Sequence, residues 1–190
     1  MRAARADWRA EFAAVDPSRL VFLDESGATT AMARRYGRSP RGTRVEAAVP
    51  HGPWKVVTLT AAVRLGGVGA CVAFDGATDA ATFETYVRDY LVPTLRPGDI
   101  VVMDNLACHK SAEIERLIRS AEAAVRYLPA YSPDLNPIEG LFSKLKEYLR
   151  ATAARTVQGL IGAMGGALES VTPGDIWGWF CHCGYRYGQS

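Results

Sequence analysis

At 190 residues, 48% of them hydrophobic, the chain suits one folded domain with a sizeable core, and wholesale disorder is excluded. Its net charge of +2 is too small to argue by itself for nucleic acid. No apolar run reaches the roughly 18–20 residues of a transmembrane helix. The opening MRAARADWRAEF has no apolar segment of a secretory signal, so a cytosolic protein without a membrane partner is expected.

Residues 1–18 read as a helix, Ala3 to Ala14, broken by Asp16-Pro17 and followed by a short linker. Arg19 to Asp24 is the first strand. Its unbroken LVFL fits a strand covered on both faces, and Glu25-Ser26-Gly27 is expected to turn the chain. Residues 28–53 hold ARRYGRSPRGTR, with Arg34, Arg35, Arg38, Arg41 and Arg44 around one aromatic, Tyr36. Such a segment suits the tracking of phosphates; the plainer alternative is a solvated loop.

Lys55 to Arg64 is a strand rich in β-branched residues. Leu65-Gly66-Gly67 turns it back into Val68 to Phe74, so an antiparallel meander is expected. Asp79 to Val92 carries apolar residues at helical spacing. Ile100 to Asp104 follows that helix, so it is expected parallel to the first strand. Ser111 caps a helix to Ala124, and Val125 to Leu128 is a short strand. Pro129 to Pro137 is a stiff connection. Asn136-Pro137 then opens a helix to about Ala154, and two more helices follow from Thr156 and Thr172.

Asp104 comes directly after IVVM, at the carboxyl end of a buried strand, where ligand sites of α/β sheets lie. Asp24 ends LVFL in a similar way. Both also suit a turn. Glu25 competes with Asp24, but strand alternation points it to the other face. Glu139 lies in the first turn of its helix. There it serves either as a metal ligand or as the second half of a capping box with Asn136. Three carboxylates without a His/Cys set suit Mg²⁺ or Mn²⁺, and two such ions perform phosphoryl transfer. His109 and Lys110, and Lys144, Lys146 and Arg150 on the late helix, are candidate DNA contacts or ordinary polar surface. Cys71, Cys108, Cys181 and Cys183 are expected as free thiols. Cys181-His182-Cys183 is a poor metal cluster, since neighbouring side chains diverge and no second pair completes a tetrahedron.

LDES at 23–26, VVMDN at 101–105 with His109-Lys110 after it, and above all YSPDLNPIEGLFSKLK at 131–146 resemble the catalytic domain of Tc/mariner DDE transposases, in their bacterial insertion-sequence branch. Thirty-four residues, 105 to 138, separate Asp104 from Glu139, the spacing of that superfamily. The resemblance runs from about residue 8 to the closing Cys183-Gly184-Tyr185 and includes MARRYGRSPRG.

The resemblance implies an α/β, ribonuclease-H-like fold, a mixed five-stranded sheet flanked by helices. It implies that Asp24, Asp104 and Glu139 bind two Mg²⁺ ions, with Mn²⁺ as substitute. The reaction would be hydrolysis at transposon ends, then attack of the freed 3′-hydroxyl on target DNA, usually at a TA dinucleotide. A homodimer acting on paired ends in the bacterial cytoplasm, at the nucleoid, goes with it. Trp177, Trp179 and Phe180 are candidates for a dimer surface if exposed. Family members carry N-terminal helix-turn-helix domains. Residues 1–18 are therefore expected to be the helix and linker of a DNA-binding region, and 19–190 the DDE catalytic domain. Two alternatives remain: a non-catalytic DNA-binding remnant of an insertion sequence, and a ribonuclease-H-like nuclease acting on RNA–DNA hybrids, against which SPDLNPIE argues.

Overall fold

The computed structural model describes residues 2–106 and 109–186. Five strands form one mixed sheet in the order β3-β2-β1-β4-β5. They are β1 (Leu20–Thr29), β2 (Val56–Arg64), β3 (Gly67–Asp75), β4 (Ile100–Met103) and β5 (Ala124–Tyr127). β1, β2 and β3 form the expected antiparallel meander. β4 lies parallel to both β1 and β5, as the helical crossovers require.

The helices divide between the two faces. On one face α4 (Ile138–Thr152), α5 (Val157–Glu169), α6 (Pro173–His182) and α1 (Arg2–Phe12) cover Leu20, Phe22 and Ala28 of β1. On the other, α2 (Ala80–Tyr86) and α3 (Ala112–Ser120) cover Val21 and Leu23. Alternate residues of β1 thus feed opposite cores, which is why LVFL carries no polar residue. Each such side chain contributes about 1.5–3 kcal/mol when fully buried.

Three expectations change. No turn forms at Glu25-Ser26-Gly27. β1 runs on to Thr29, because residues 24 to 29 pair in register with β2 from Ala61 to Val56. Ladder bonds outweigh local turn preference here. The helix expected over 79–92 breaks into α2, a π turn at Val87–Leu91 and a 3₁₀ turn at Val92–Thr94, ahead of Arg96-Pro97-Gly98. α3 stops at Ser120, and Glu122, at φ 55°, swings the chain into β5.

α1 packs onto the sheet through Trp8 and Phe12. Trp8 stacks on Phe12 with ring centroids 4.1 Å apart, and its Nε1 donates to the Tyr185 hydroxyl at 2.9 Å. Tyr185 donates in turn to Leu135 O at 2.7 Å. Arg5 grips Asp134 at 2.8 and 2.5 Å. Both chain ends therefore clamp the turn that leads into α4. The α6 aromatics form no common surface: Phe180 is buried in the core, Trp179 packs against it, and Trp177 is exposed. Cys71, Cys181 and Cys183 are free thiols; Cys108 lies outside the described residues. Among the described residues, no helix is long and apolar enough to cross a membrane.

Candidate active site

β1 and β4 pair only as far as Phe22 and Val102. Beyond that point β1 stays with β2, while β4 ends at Met103. The two strands part, and a cavity of about 400 Å³ opens between them. Asp24 of β1, Asp104 just after β4 and Glu139 of α4 all line it. Glu25 faces away, its Oε1 accepting from Thr60 Oγ1 at 3.1 Å, as alternation predicts.

Each aspartate is braced by a buried side chain. Asp24 Oδ2 accepts from Asn136 Nδ2 at 3.0 Å, and Oδ1 accepts from the Glu25 N–H at 2.7 Å. Asp104 Oδ1 lies 2.6 Å from His109 Nδ1 and accepts from the Leu106 N–H at 3.1 Å. A carboxylate needs a donor there, so His109 carries its proton on Nδ1.

The two acids titrate in opposite directions. Burial pushes Asp24 up to about 6; the Glu25 N–H opposes this, and the charges of Asp104 and Glu139 add to it. Burial also acts on Asp104, but the hydrogen bonds from His109 and Leu106 outweigh it and hold its carboxyl below the usual value.

Glu139 is exposed in the first turn of α4 and forms no capping box. The N-cap position is Pro137, and the Asn136 N–H donates instead to Pro133 O at 3.0 Å. The Asn136 amide, released from capping, reaches across to Asp24. Gly140, next to Glu139, lets Trp179 of α6 close on the helix: a Cβ there would lie 2.4 Å from Trp179 Cδ1.

The three acids share a cavity without forming a closed cluster. Among the described residues, no three His, Cys, Asp or Glu side chains are close enough together to hold a metal ion. The charges of Asp104 and Glu139 act against that of Asp24, and His109 and Asn136 hold the two aspartates where they stand. The donor set still fits a hard divalent cation, being carboxylate oxygen throughout. The buried Asn136 Oδ1 has no hydrogen-bond partner among the described residues and supplies a further hard oxygen beside Asp24.

The expected DNA contacts fare unevenly. His109 is 1% exposed, stacked on Phe83 at 4.3 Å, so it braces Asp104 and presents no surface to DNA. Lys144 is likewise committed, donating to Ser170 O at 2.9 Å and Asp175 Oδ2 at 2.6 Å, where it joins α4 to α6. Lys110 is exposed, 5.7 Å from the Tyr127 ring centre. Arg34, Arg35 and Lys146 do converge, lining one cleft with Arg150. Arg155 roots that cleft by donating to Thr30 O at 3.2 Å and Met32 O at 2.8 Å. Arg38, Arg41 and Arg44 are exposed further along the same segment. Glu139, Lys146 and Arg150 are seven and eleven residues apart, so they share one side of α4.

Sequence reasoning missed Asn136 as a brace, because Asn before Pro at a helix start reads as a cap. It missed Arg5 and Tyr185 because nothing local marks a residue that acts from the far end of the chain.

A family model described as DDE superfamily endonuclease matches residues 19–161. The chain belongs to this family. Among solved structures, this DDE endonuclease is similar to the Mos1 mariner transposase. It matches the Mos1 strand transfer complex with a TM-score of 0.76 at 17% identity, covering 96% of this chain and 56% of that one. A Mos1 paired-end complex with Mn gives 0.77 at 16% identity, covering 96% and 57%. The isolated Mos1 catalytic domain gives 0.70 at 15% identity, covering 96% and 85%. These likenesses show the fold, the ribonuclease-H-like mixed sheet flanked by helices. The DDE endonuclease spans a little over half the length of the chains in those complexes. No curated protein sequence matches it.

Proposed function

We propose that the chain is the catalytic domain of a transposase, cutting DNA at transposon ends and joining the freed 3′ ends to target DNA. The observation that carries this reading is the meeting of Asp24, Asp104 and Glu139 in one cavity where β1 and β4 part. A family of endonucleases, and structural relatives that are transposases in complexes described as strand transfer and paired-end, support it.

The three carboxylates would hold two Mg²⁺ ions, with Mn²⁺ as substitute. Two ions bound there supply an activated attacking oxygen and a stabilised leaving oxygen. The chain's own residues do the positioning. Asn136 keeps Asp24 turned into the cavity, and His109 keeps Asp104 in one orientation and charged. Glu139, exposed in the first turn of α4, would supply the third carboxylate. Beyond the cavity, Lys146, Arg150, Arg34 and Arg35 carry the phosphates of the strand away from the cut. A homodimer acting on paired ends at the bacterial nucleoid belongs to the same reading, with residues 19–190 as the catalytic unit and 1–18 as the lead-in from a DNA-binding region.

The test is nicking of supercoiled DNA in Mg²⁺ or Mn²⁺, comparing wild type with Asp104→Asn. Metal-dependent cutting lost in the variant supports the reading. DNA binding without turnover in the wild type would favour the non-catalytic remnant instead.

A further inference from the structure

One wall of the acid cavity is apolar. Leu128, Pro129, Ala130, Tyr131 and Pro133 line it together with the three carboxylates. Tyr131 stands on that wall 86% exposed. Its backbone is left-handed, at φ 56°, a region that bulky residues rarely occupy. Neither packing nor hydrogen bonding accounts for the ring: it buries little, and among the described residues its hydroxyl has no partner.

The exposure does not come from a loose loop. Prolines sit two residues to either side, fixing the local backbone. Ser132 is buried; its Oγ donates to Ala130 O at 3.3 Å and accepts from Arg5 Nη1 at 3.0 Å. A 3₁₀ turn, Pro133–Leu135, follows at once. Tyr131 thus carries an exposed aromatic ring on a braced backbone in a sterically unfavourable conformation, at the rim of the acid site. Strained residues held by their surroundings gather at functional sites.

A nucleotide has the same two halves as this cavity, an anionic phosphate and a flat apolar base. We propose that Tyr131 is a stacking platform for an unpaired nucleobase of the strand being cut, next to the scissile phosphate. The proposal rests on the reading of the acids as a DNA-cutting site. With the phosphate at Asp24, Asp104 and Glu139, the neighbouring base leaves the duplex stack and lies against the ring. This fixes the strand's register at the cut. Stacking uses the π-face that every base shares, so the contact selects a base over no base and does not read sequence.

The experiment is a cycle between protein and DNA. Duplexes whose nicking position has been mapped carry one abasic site, walked through the nucleotides flanking the cut. Single-turnover nicking in Mn²⁺ and DNA affinity are measured for wild type, Tyr131→Phe and Tyr131→Ala. The expected result is one position where the abasic site weakens binding by about tenfold for wild type and Tyr131→Phe, the order of one base–aromatic stack, and less than about twofold for Tyr131→Ala. Equal abasic penalties for wild type and Tyr131→Ala at every position would overturn the proposal. A wild type that cuts no DNA overturns the catalytic reading itself, which is a distinguishable failure. Thermal melts of the three proteins, expected to coincide within a few degrees, exclude misfolding as the cause.

Discussion

Asp24 and Arg34 are ten residues apart on one continuous stretch of chain, yet their surroundings are opposite. Asp24 sits inside a ten-residue strand, held by a backbone N–H and by Asn136, with burial raising its pKa to about 6. Arg34 begins an exposed segment without strand or helix, rooted by Arg155 where it leaves β1. The acid site is built to hold atoms in place against their mutual repulsion. The arginine segment is built to stay solvated until something anionic arrives. Chemistry that depends on sub-ångström placement belongs on the sheet, and contact with a long polyanion does not need it.

Changes in the cavity are expected to alter turnover, and changes in the arginine segment to alter only binding. The largest effect is expected for Glu139→Gln and Asp104→Asn, each lowering metal-dependent nicking by at least about a thousandfold. Because Glu139 caps nothing, Glu139→Gln leaves the denaturation midpoint unchanged. A loss of stability matching the loss of activity would return Glu139 to a structural role.

Asp24→Asn sharpens the contrast through pH. Well below 3.8 the Asp24 carboxyl is protonated in both folded and unfolded chains and contributes nothing. Between the ordinary value of 3.8 and the raised one of about 6, the folded chain keeps a proton that the unfolded chain releases, so stability falls as pH rises. Above about 6 the full penalty applies, at most roughly 3 kcal/mol. In metal-free buffer at pH 7.5, Asp24→Asn is therefore expected to be more stable than wild type by about 1–3 kcal/mol, with Asn136 turning its unpartnered Oδ1 toward the new amide. The difference should vanish near pH 3. Urea denaturation at the two pH values checks this, and a variant less stable than wild type at pH 7.5 would count against crowded acids in the cavity.

Gly140→Ala is expected to lower stability by about 1–3 kcal/mol, because its Cβ would lie 2.4 Å from the Trp179 ring. Nicking should fall too, since the shift occurs beside Glu139. The smallest effects separate the lysines of α4. Lys146→Ala is expected to reduce the salt slope of DNA binding by roughly 0.9, one phosphate contact. Lys144→Ala leaves that slope alone and lowers stability slightly, with its hydrogen bonds to Ser170 and Asp175. A drop in slope for Lys144→Ala would place DNA where the structure puts α6.

The same contrast explains what the sequence could tell. The sheet was legible, because buried strands carry unbroken apolar runs and because the hairpin and crossover order leave few topologies. So was the placement of Asp104, since β4 ends at Met103 immediately before it, whereas Asp24, expected at a strand end, lies inside β1. The continuation of β1 was not, because Asp-Glu-Ser-Gly is good turn chemistry and only β2, some thirty residues on, supplies the ladder that straightens it. His109 was hidden for a similar reason: a single His after an Asp has no local signature, and its burial is made by Phe83 on another element. The roles of Lys144 and Lys146 are set by which of them meets Asp175, a tertiary fact that spacing along α4 cannot supply.

The central claim is that Asp24, Asp104 and Glu139 together hold the ions that cut DNA. Crystals soaked in Mn²⁺ and measured at its absorption edge test this most directly. Anomalous density is expected in the cavity, within ligand distance of all three carboxylates at roughly 2 Å, with Glu139 drawn inward. Crystals in which Mn²⁺ binds elsewhere and Glu139 still points to solvent would contradict it.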